Sequence, residues 1–181
     1  MRADAQENHD RLLEVAARAF AREGTGASLK AVAREAGVGI GTVYRRFPTR
    51  ETLIEAVYQQ EVARLCAAAP SLAAELEGAA ALRAWMEQFV DFMGTKRELV
   101  RPALTSDDER QQTRDELRAA IAVLLAAGVA DGTVRASIDP NDLLLSLGGI
   151  TLIADSENQR ALATRLIALL LDGVLSASRT G

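Results

Sequence analysis

The sequence predicts an all-α protein of about nine helices, and three observations support this fold class. Alanine, leucine, glutamate and arginine dominate the composition. No stretch of four to eight residues alternates between apolar and polar side chains as a half-buried strand would. Apolar residues instead recur at helical spacing, between segments that carry cap residues, glycine or proline.

Cap and stop signals place the first four helices. Gly24 suits the left-handed position that ends a first helix, and Ser28 is an N-cap for a second. Gly37 turns the chain into a third helix, which Pro48 ends because the residue before a proline avoids the helical region. Thr49 caps a fourth helix. The predicted ranges are about 9–23, 29–36, 40–47 and 50–67, with residues 1–7 and 177–181 fraying.

Five further helices are expected beyond Pro70, which we predict to end the preceding helical segment. Gly94 and Pro102 are expected to close or bend the next two helices, since both residues disfavour helix continuation. Asp139 followed by Pro140 predicts the start of a helix, with Asp139 as its N-cap and Pro140 in its first turn. The predicted ranges are about 79–93, 96–104, 106–127, 140–154 and 158–176.

The charge of the chain is unevenly distributed. The formal net charge is −4, yet residues 1–50 hold nine basic and six acidic residues, a balance of +3. Residues 51–181 hold twelve basic and nineteen acidic residues, a balance of −7. This pattern predicts that only the amino-terminal segment meets a polyanion.

Scarce residue types argue against an enzyme. One histidine and one cysteine leave no metal cluster and no Cys–His or Ser–His pair to propose, so we expect no catalytic site, metal or cofactor. We interpret His9 as a cap-region residue and Cys66 as a small apolar filler. The alternative for Cys66 is a redox sensor, which requires an exposed thiol of low pKa. A polar amino end and the absence of a long apolar run predict a cytoplasmic protein without a membrane span.

The segment GVGIGTVYRRF at 37–47 has two possible interpretations. A dinucleotide-binding loop needs glycine or alanine at its sixth position, where Thr42 stands, and it needs a preceding strand, whereas KAVAREA has a helical period. A helix-turn-helix needs two short helices joined by a tight turn, and this segment provides the turn and the second helix. We therefore predict a DNA-binding helix-turn-helix.

A helical wheel of the third helix separates two faces. Ile40, Val43 and Phe47 fall together and are expected to be buried, with Tyr44 at their border. The opposite face is expected to enter the major groove of DNA.

That opposite face carries Thr42, Arg45 and Arg46. Arginine matches the O6/N7 edge of guanine, and threonine contacts a thymine methyl group or accepts a hydrogen bond. Gly39 and Gly41 add no bulk, so the amino end of the helix can approach base edges and phosphates closely.

The run from Arg11 to Gln60 resembles the amino-terminal domain of the TetR family of bacterial regulators. The matching stretches are LLEVAARAFAREG, SLKAVAREAGV and GTVYRRFPTRETLIEAV, densest from Gly41 to Phe47-Pro48 and Glu51. One departure is Gly39, where the family usually has a serine that caps the third helix. Glycine caps with little loss of stability, although a side-chain contact is lost.

The resemblance implies roles for individual residues. Base contacts are implied for Thr42 and Arg45, and phosphate contacts for Ser28, Tyr44 and Arg50. Arg46 suits either role, and simple core packing is the alternative for Tyr44. Lys30 and Arg34 either assist or are only solvated. The complete expected DNA-binding set is Ser28, Lys30, Arg34, Gly39, Gly41, Thr42, Tyr44, Arg45, Arg46 and Arg50.

The resemblance also implies a homodimer formed through the last two helices. NDLLLSLGGITLIA and ALATRLIALLLDGVL are apolar on more than one face, which independently favours a second apolar contact. The alternative is a helix buried wholly within one subunit. The expected interface residues are Leu145, Leu152, Leu166, Ile167, Leu170 and Val174.

A small-molecule effector pocket is implied between these regions. Trp85, Phe89 and Phe92 share one helical stripe with Met86 and Met93 beside them, and methionine suits a pocket that repacks. Ordinary core packing is the alternative. The expected polar anchors are Arg101, Thr151 and Asp155.

Together these features predict a DNA-binding domain at 1–50, a connecting helix at about 50–67 and an effector and dimerisation domain at 68–181. The expected function is a ligand-responsive repressor that binds a palindromic operator as a dimer and is released by a small molecule. The alternatives are an activator or ligand-independent regulator of the same fold, and a helical interaction module without DNA binding. Thr42, Arg45 and Arg50 argue against the last.

Overall fold

A computed structural model describes residues 2–99, 106–153 and 157–176. These residues form helices joined by short turns and contain one isolated β-bridge, between Val134 and Leu175. The predicted all-α class is confirmed. The helices are α1 (Arg2–Glu23), α2 (Leu29–Glu35), α3 (Ile40–Arg46), α4 (Arg50–Glu75), α5 (Gly78–Leu99), α6 (Asp107–Ala130), α7 (Pro140–Ile153) and α8 (Glu157–Val174).

Three predicted boundaries are wrong, and one of them, at Gly94, reduces the helix count from about nine to eight in the described residues. The predicted fraying of residues 1–7 does not hold for 2–7, because α1 begins at Arg2 and is supported by a Gln6–Asp10 hydrogen bond of 2.8 Å. Pro70 lies inside α4, where buried Leu65 and Ala69 favour a continuous helix despite the lost backbone bond.

Gly94 likewise lies inside a helix. One helix, α5, replaces the two predicted segments and continues to Leu99. A glycine in a helix interior costs only about 1 kcal/mol relative to alanine, so it does not end a helix by itself.

The chain forms two compact units, Met1–Glu61 with Thr95–Ser106, and Val62–Gly94 with Asp107–Gly181. The first unit has a core drawn from α1, α2, α3 and the start of α4, including Phe20, Val32, Val43 and Leu53. The functional division of the chain at residues 50 and 68 stays a prediction.

The predicted caps are present. The Ser28 hydroxyl accepts a hydrogen bond from the Ala31 amide at 3.4 Å. Thr49 and Thr52 cap α4 reciprocally, each hydroxyl accepting from the other residue's amide at 3.2–3.3 Å. Asp139 accepts from the Asn141 amide at 2.7 Å, just before Pro140. Local sequence therefore sets where α2, α4 and α7 begin.

In the second unit, the end of α6 holds the start of α5. The Asp131 carboxylate accepts a hydrogen bond from the Gly78 amide at 2.6 Å, and the Thr133 hydroxyl accepts one from the Ala79 amide at 3.1 Å. A Cβ on Gly78 would overlap the backbone of Gly128, so glycine is required at this approach. Hydrogen bonds from the Thr133 side chain and from the Gly78 and Thr133 amides hold the pKa of Asp131 below its ordinary value.

Candidate nucleic-acid interface

The turn between α2 and α3 has the hydrogen bonds of a Schellman motif. The Val38 amide donates to the Ala33 carbonyl at 2.9 Å, and the Gly37 amide donates to the Arg34 carbonyl at 3.2 Å. Gly37 adopts φ +70°, a left-handed conformation that strains any residue with a Cβ. Gly37 therefore fixes the direction in which the chain leaves α2 and enters α3.

Arg11 holds this turn from α1. Its Nε donates to the Ala36 carbonyl at 3.0 Å, and its Nη2 donates to Asn8 Oδ1 at 2.8 Å. The guanidinium thereby satisfies a carbonyl at the end of α2, where the helix dipole also favours a cation. Sequence reasoning missed Arg11, because its partner lies 25 residues away and no local pattern announces the pairing.

The inner face of α3 is the one that the helical wheel predicted. Val43 is fully buried and Phe47 is nearly so, and half-buried Ile40 packs against the same core. The ring of His9 in α1 stacks on Phe47, with centroids 5.8 Å apart and planes at 22°. The Gly39 carbonyl accepts from the amide of Thr42 at 2.8 Å, which starts the helix without a side-chain cap. These contacts fix the rotation of α3 about its axis.

The outer face of α3 is open to solvent. Arg45 and Arg46 are exposed and Thr42 is half-buried. Arg45 Nη2 lies 3.5 Å from Thr42 Oγ1, so these two side chains converge one helical turn apart. Tyr44 is 52% exposed and lies outside the core. The structure thus brings Thr42, Arg45 and Arg46 together on one accessible face, and Tyr44 lies exposed at the border of the buried face.

The flanking residues differ in how they are held. Lys30 and Arg34 are exposed on α2. Arg50 is half-buried, and its Nη1 donates to the Ala27 carbonyl at 2.7 Å. Ala27 immediately precedes Ser28, so Arg50 ties the start of α4 to the start of α2. Gly39 and Gly41 are exposed, and a Cβ at Gly41 would meet no heavy atom within 4 Å.

Two family models match the chain. Residues 12–57 match a model described as bacterial regulatory proteins of the tetR family, and residues 77–176 match the C-terminal domain of SbtR-like transcriptional regulators. The second match alone covers more than half of the chain. The chain belongs to the TetR family of transcriptional regulators. The predicted family is therefore confirmed. Members of this family are DNA-binding regulators and not enzymes.

Solved structures agree with this family. The TetR transcriptional regulator SCO0520 from Streptomyces coelicolor is 44% identical, with a TM-score of 0.82 over 93% of this chain and 99% of that one. A TetR regulatory protein from Mycobacterium vanbaalenii is 32% identical, with a TM-score of 0.78 over 97% of this chain and 99% of that one. An HTH-type transcriptional regulator from Staphylococcus aureus is 40% identical over 63 residues, so the chain spans only 34% of that curated relative's length.

The residues expected to line an effector pocket lie in the second unit of this TetR-family regulator. Trp85, Met86, Phe89 and Phe92 are buried and Met93 is half-buried. Trp85 stacks against Phe89 with ring centroids 5.7 Å apart, and its Nε1 donates to the Leu65 carbonyl at 2.9 Å.

The expected polar anchors have different outcomes. Thr151 is buried, and its hydroxyl donates to the Gly148 carbonyl at 2.8 Å within α7. Arg101 and Asp155 lie outside the described residues. A separate open groove of about 270 Å³ lies where the start of α7 faces the end of α8, with Ile138, Leu143 and Leu170 in its wall.

The residues expected at a dimer interface divide into exposed, buried and half-buried pairs. Leu145 and Leu152 are 63% and 72% exposed on α7. Ile167 and Val174 are buried within the subunit, and α8 instead exposes Leu169, which sequence reasoning missed. Leu166 and Leu170 are half-buried. Both helices are apolar on several sides, and periodicity alone does not say which side faces the subunit core.

Other kinds of site find little support. In the described ranges, no group of three or more His, Cys, Asp or Glu side chains is placed to hold a metal ion. No helix in these ranges is both long enough and apolar enough to span a membrane. Burial raises the pKa of the Cys66 thiol to about 11, with a further contribution from the Glu116 carboxylate. This shift opposes the redox-sensor alternative, because a sensor needs the thiolate.

Proposed function

We propose that this regulator is a cytoplasmic, ligand-responsive repressor that binds a pseudo-palindromic operator as a homodimer and is released by a small molecule. The observation that carries the DNA-binding part is the exposed face of α3, where Thr42, Arg45 and Arg46 project from a helix whose opposite face is fixed in a core. A rigid helix that presents such side chains suits the major groove.

Within this proposal, α3 supplies sequence readout and its surroundings supply position. Arg45 reads a guanine and Thr42 an adjacent thymine, since their side chains converge. The Arg50–Ala27 hydrogen bond holds the starts of α2 and α4 together, so phosphate-facing groups on both helices keep a fixed spacing. The proposed phosphate contacts are Ser28, Lys30, Arg34, Tyr44, Arg46 and Arg50, with Gly39 and Gly41 allowing close approach.

The homodimer is proposed to form through α7 and α8. Leu145, Leu152 and Leu169 are each more than 60% exposed, and three such leucines on adjacent helices form an apolar surface that a second copy would cover. Exposed Gly149 lies between the two α7 leucines, and a Cβ there would meet nothing within 4 Å. The small residue would let the partner helix approach closely. Two reading helices about one DNA turn apart, roughly 34 Å, would then match a pseudo-palindrome.

The effector part of the proposal rests on the aromatic cluster of α5. A small molecule would enter between Trp85, Phe89 and Phe92 by repacking Met86 and Met93. It would lower operator affinity only to the extent that it prefers the conformation that binds DNA less well. Trp85 is the only tryptophan in the chain, so its fluorescence would report binding at this cluster.

The decisive experiment measures binding of the full chain to a library of duplexes and compares Arg45→Ala with Arg22→Ala. Arg22 is also an exposed arginine, but it lies on α1 and pairs with Glu23. Arg45→Ala should relax base preference at one position of each half-site, while Arg22→Ala should leave the preference unchanged. Uniform weakening on all sequences by Arg45→Ala would show that this side chain contacts only phosphate. Binding without a steep salt dependence would contradict DNA recognition altogether.

A further inference from the structure

The exposed side of α8 carries opposite charges on either side of an apolar residue. Arg165, Leu169 and Asp172 are all exposed and follow one another at spacings of four and three residues, so they share one face of the helix. Leu169 is 66% exposed, and half-buried Leu162 and Leu166 lie beside this face. Within the described part of the chain, the side chains of Arg165 and Asp172 make no hydrogen bond or ion pair.

This arrangement is self-complementary under a two-fold axis. In a symmetric pair of antiparallel helices, a residue on one side of the axis faces the residue at the same distance on the other side in the partner. The midpoint between Arg165 and Asp172 falls between residues 168 and 169, next to Leu169. The seven-residue separation spans about 10.5 Å, so each charge would lie about 5 Å from the axis, within one helical turn.

We infer that Arg165 of each subunit pairs with Asp172 of the partner subunit across a two-fold axis beside Leu169, and that these two ion pairs set the register of α8 against its copy. The inference rests on the proposed homodimer and names the contacts that would align it. The occupant of this face is therefore a second copy of the chain, and charge complementarity is the reason.

The two kinds of side chain have different tasks in this interface. The leucines supply most of the favourable free energy of association, because burial of apolar surface is the main favourable contribution to association. An exposed ion pair changes an equilibrium by only about two- to fivefold, but a shift of one helix along the other would separate both pairs at once. Glu87 is also exposed and acidic, but it lies on α5 and not on α7 or α8.

The test uses two charge reversals, Arg165→Asp and Asp172→Arg, in the full chain. Each single variant would form a homodimer with two like-charge contacts, so its dimer dissociation constant should rise by about tenfold or more at low salt. Combining both changes in one chain should restore the wild-type constant. An equimolar mixture of the two single variants should give mainly the heterodimer, because both pairs are then of opposite charge. Sedimentation equilibrium measures the constants, and native mass spectrometry counts the species.

Glu87→Arg is the matched control, since it also replaces an exposed carboxylate by arginine, on α5, and should not rescue Arg165→Asp in a mixture. Circular dichroism establishes that each variant keeps its helices. A wild-type chain that stays monomeric would overturn both the homodimer and this inference. Wild-type dimers whose single variants dimerise as tightly as the wild type, or rescue by Glu87→Arg, would leave the homodimer standing and overturn the register.

Discussion

Replacing Gly41 by alanine separates the stability of the helix-turn-helix from its ability to bind DNA. Gly41 is exposed in the first turn of α3, its φ is not positive, and an added Cβ meets no heavy atom within 4 Å. Glycine in a helix costs about 0.5–1 kcal/mol relative to alanine, so Gly41→Ala should raise the free energy of unfolding by about 0.5 kcal/mol at this terminal position. Urea denaturation followed by circular dichroism measures this change.

The same methyl group would project into the proposed DNA contact. Extra bulk in a close-packed contact typically costs about 1–3 kcal/mol, so operator affinity should fall about five- to 150-fold at constant salt. Fluorescence anisotropy with a labelled operator measures the loss. The protein should therefore become slightly more stable and bind more weakly.

Gly37→Ala is the comparison. The Cβ of the alanine would lie 3.5 Å from Arg11 Nη2, which is an ordinary contact. The free energy of unfolding should therefore fall by about 1–2 kcal/mol because of the left-handed conformation alone. Unchanged operator affinity in Gly41→Ala would refute the close approach of the α3 amino end to DNA. A destabilised Gly41→Ala would refute the reasoning about its conformation.

Three other predictions concern different parts of the chain. Arg11→Met should lower the free energy of unfolding by about 1 kcal/mol, because the Ala36 carbonyl loses its hydrogen-bond donor. Urea denaturation measures this loss, and Arg22→Met, at an exposed arginine, should change the free energy of unfolding little. Hydrogen bonds lower the pKa of Asp131 in the folded state. The Asp131 carboxylate therefore stabilises the fold at a pH above its unfolded-state pKa, and this stabilisation is lost as the pH falls through its folded-state pKa. Thermal unfolding of Asp131→Asn should therefore depend less on pH below about pH 4, and an unchanged acid limb would contradict the role of the Gly78 contact. Leu152→Asp should produce a folded monomer in sedimentation velocity, whereas Leu76→Asp, on an exposed residue outside α7 and α8, should leave the dimer intact.

Features encoded by neighbouring residues were predictable from the sequence. Ser28, Thr49 and Asp139 cap helices through amides two or three residues away, so a short window of sequence contains both partners. The inner and outer faces of α3 follow from a helical wheel in the same way, because a seven-residue helix with one apolar face has a single way to pack.

Features that depend on distant partners were not predictable. Pro70 disfavours a helix locally, yet α4 continues through it beside buried Leu65 and Ala69. Arg11 and Asp131 act on backbone groups 25 and 53 residues away. In α8 the large apolar residues spread over more than one face of the helix, so only the fold decides that Ile167 is inside and Leu169 is outside.

The contact between Asp131 and Gly78 has a consequence for the order in which the chain becomes structured. The first turn of α5 receives its cap from a residue 53 positions later, so during synthesis this turn stays uncapped until the end of α6 has emerged from the ribosome. We expect the two helix ends to form and open together as one cooperative unit. The amide protons of Gly78 and Ala79 lie at a helix terminus, where exchange with solvent is usually fast, but they should exchange only when the end of α6 opens.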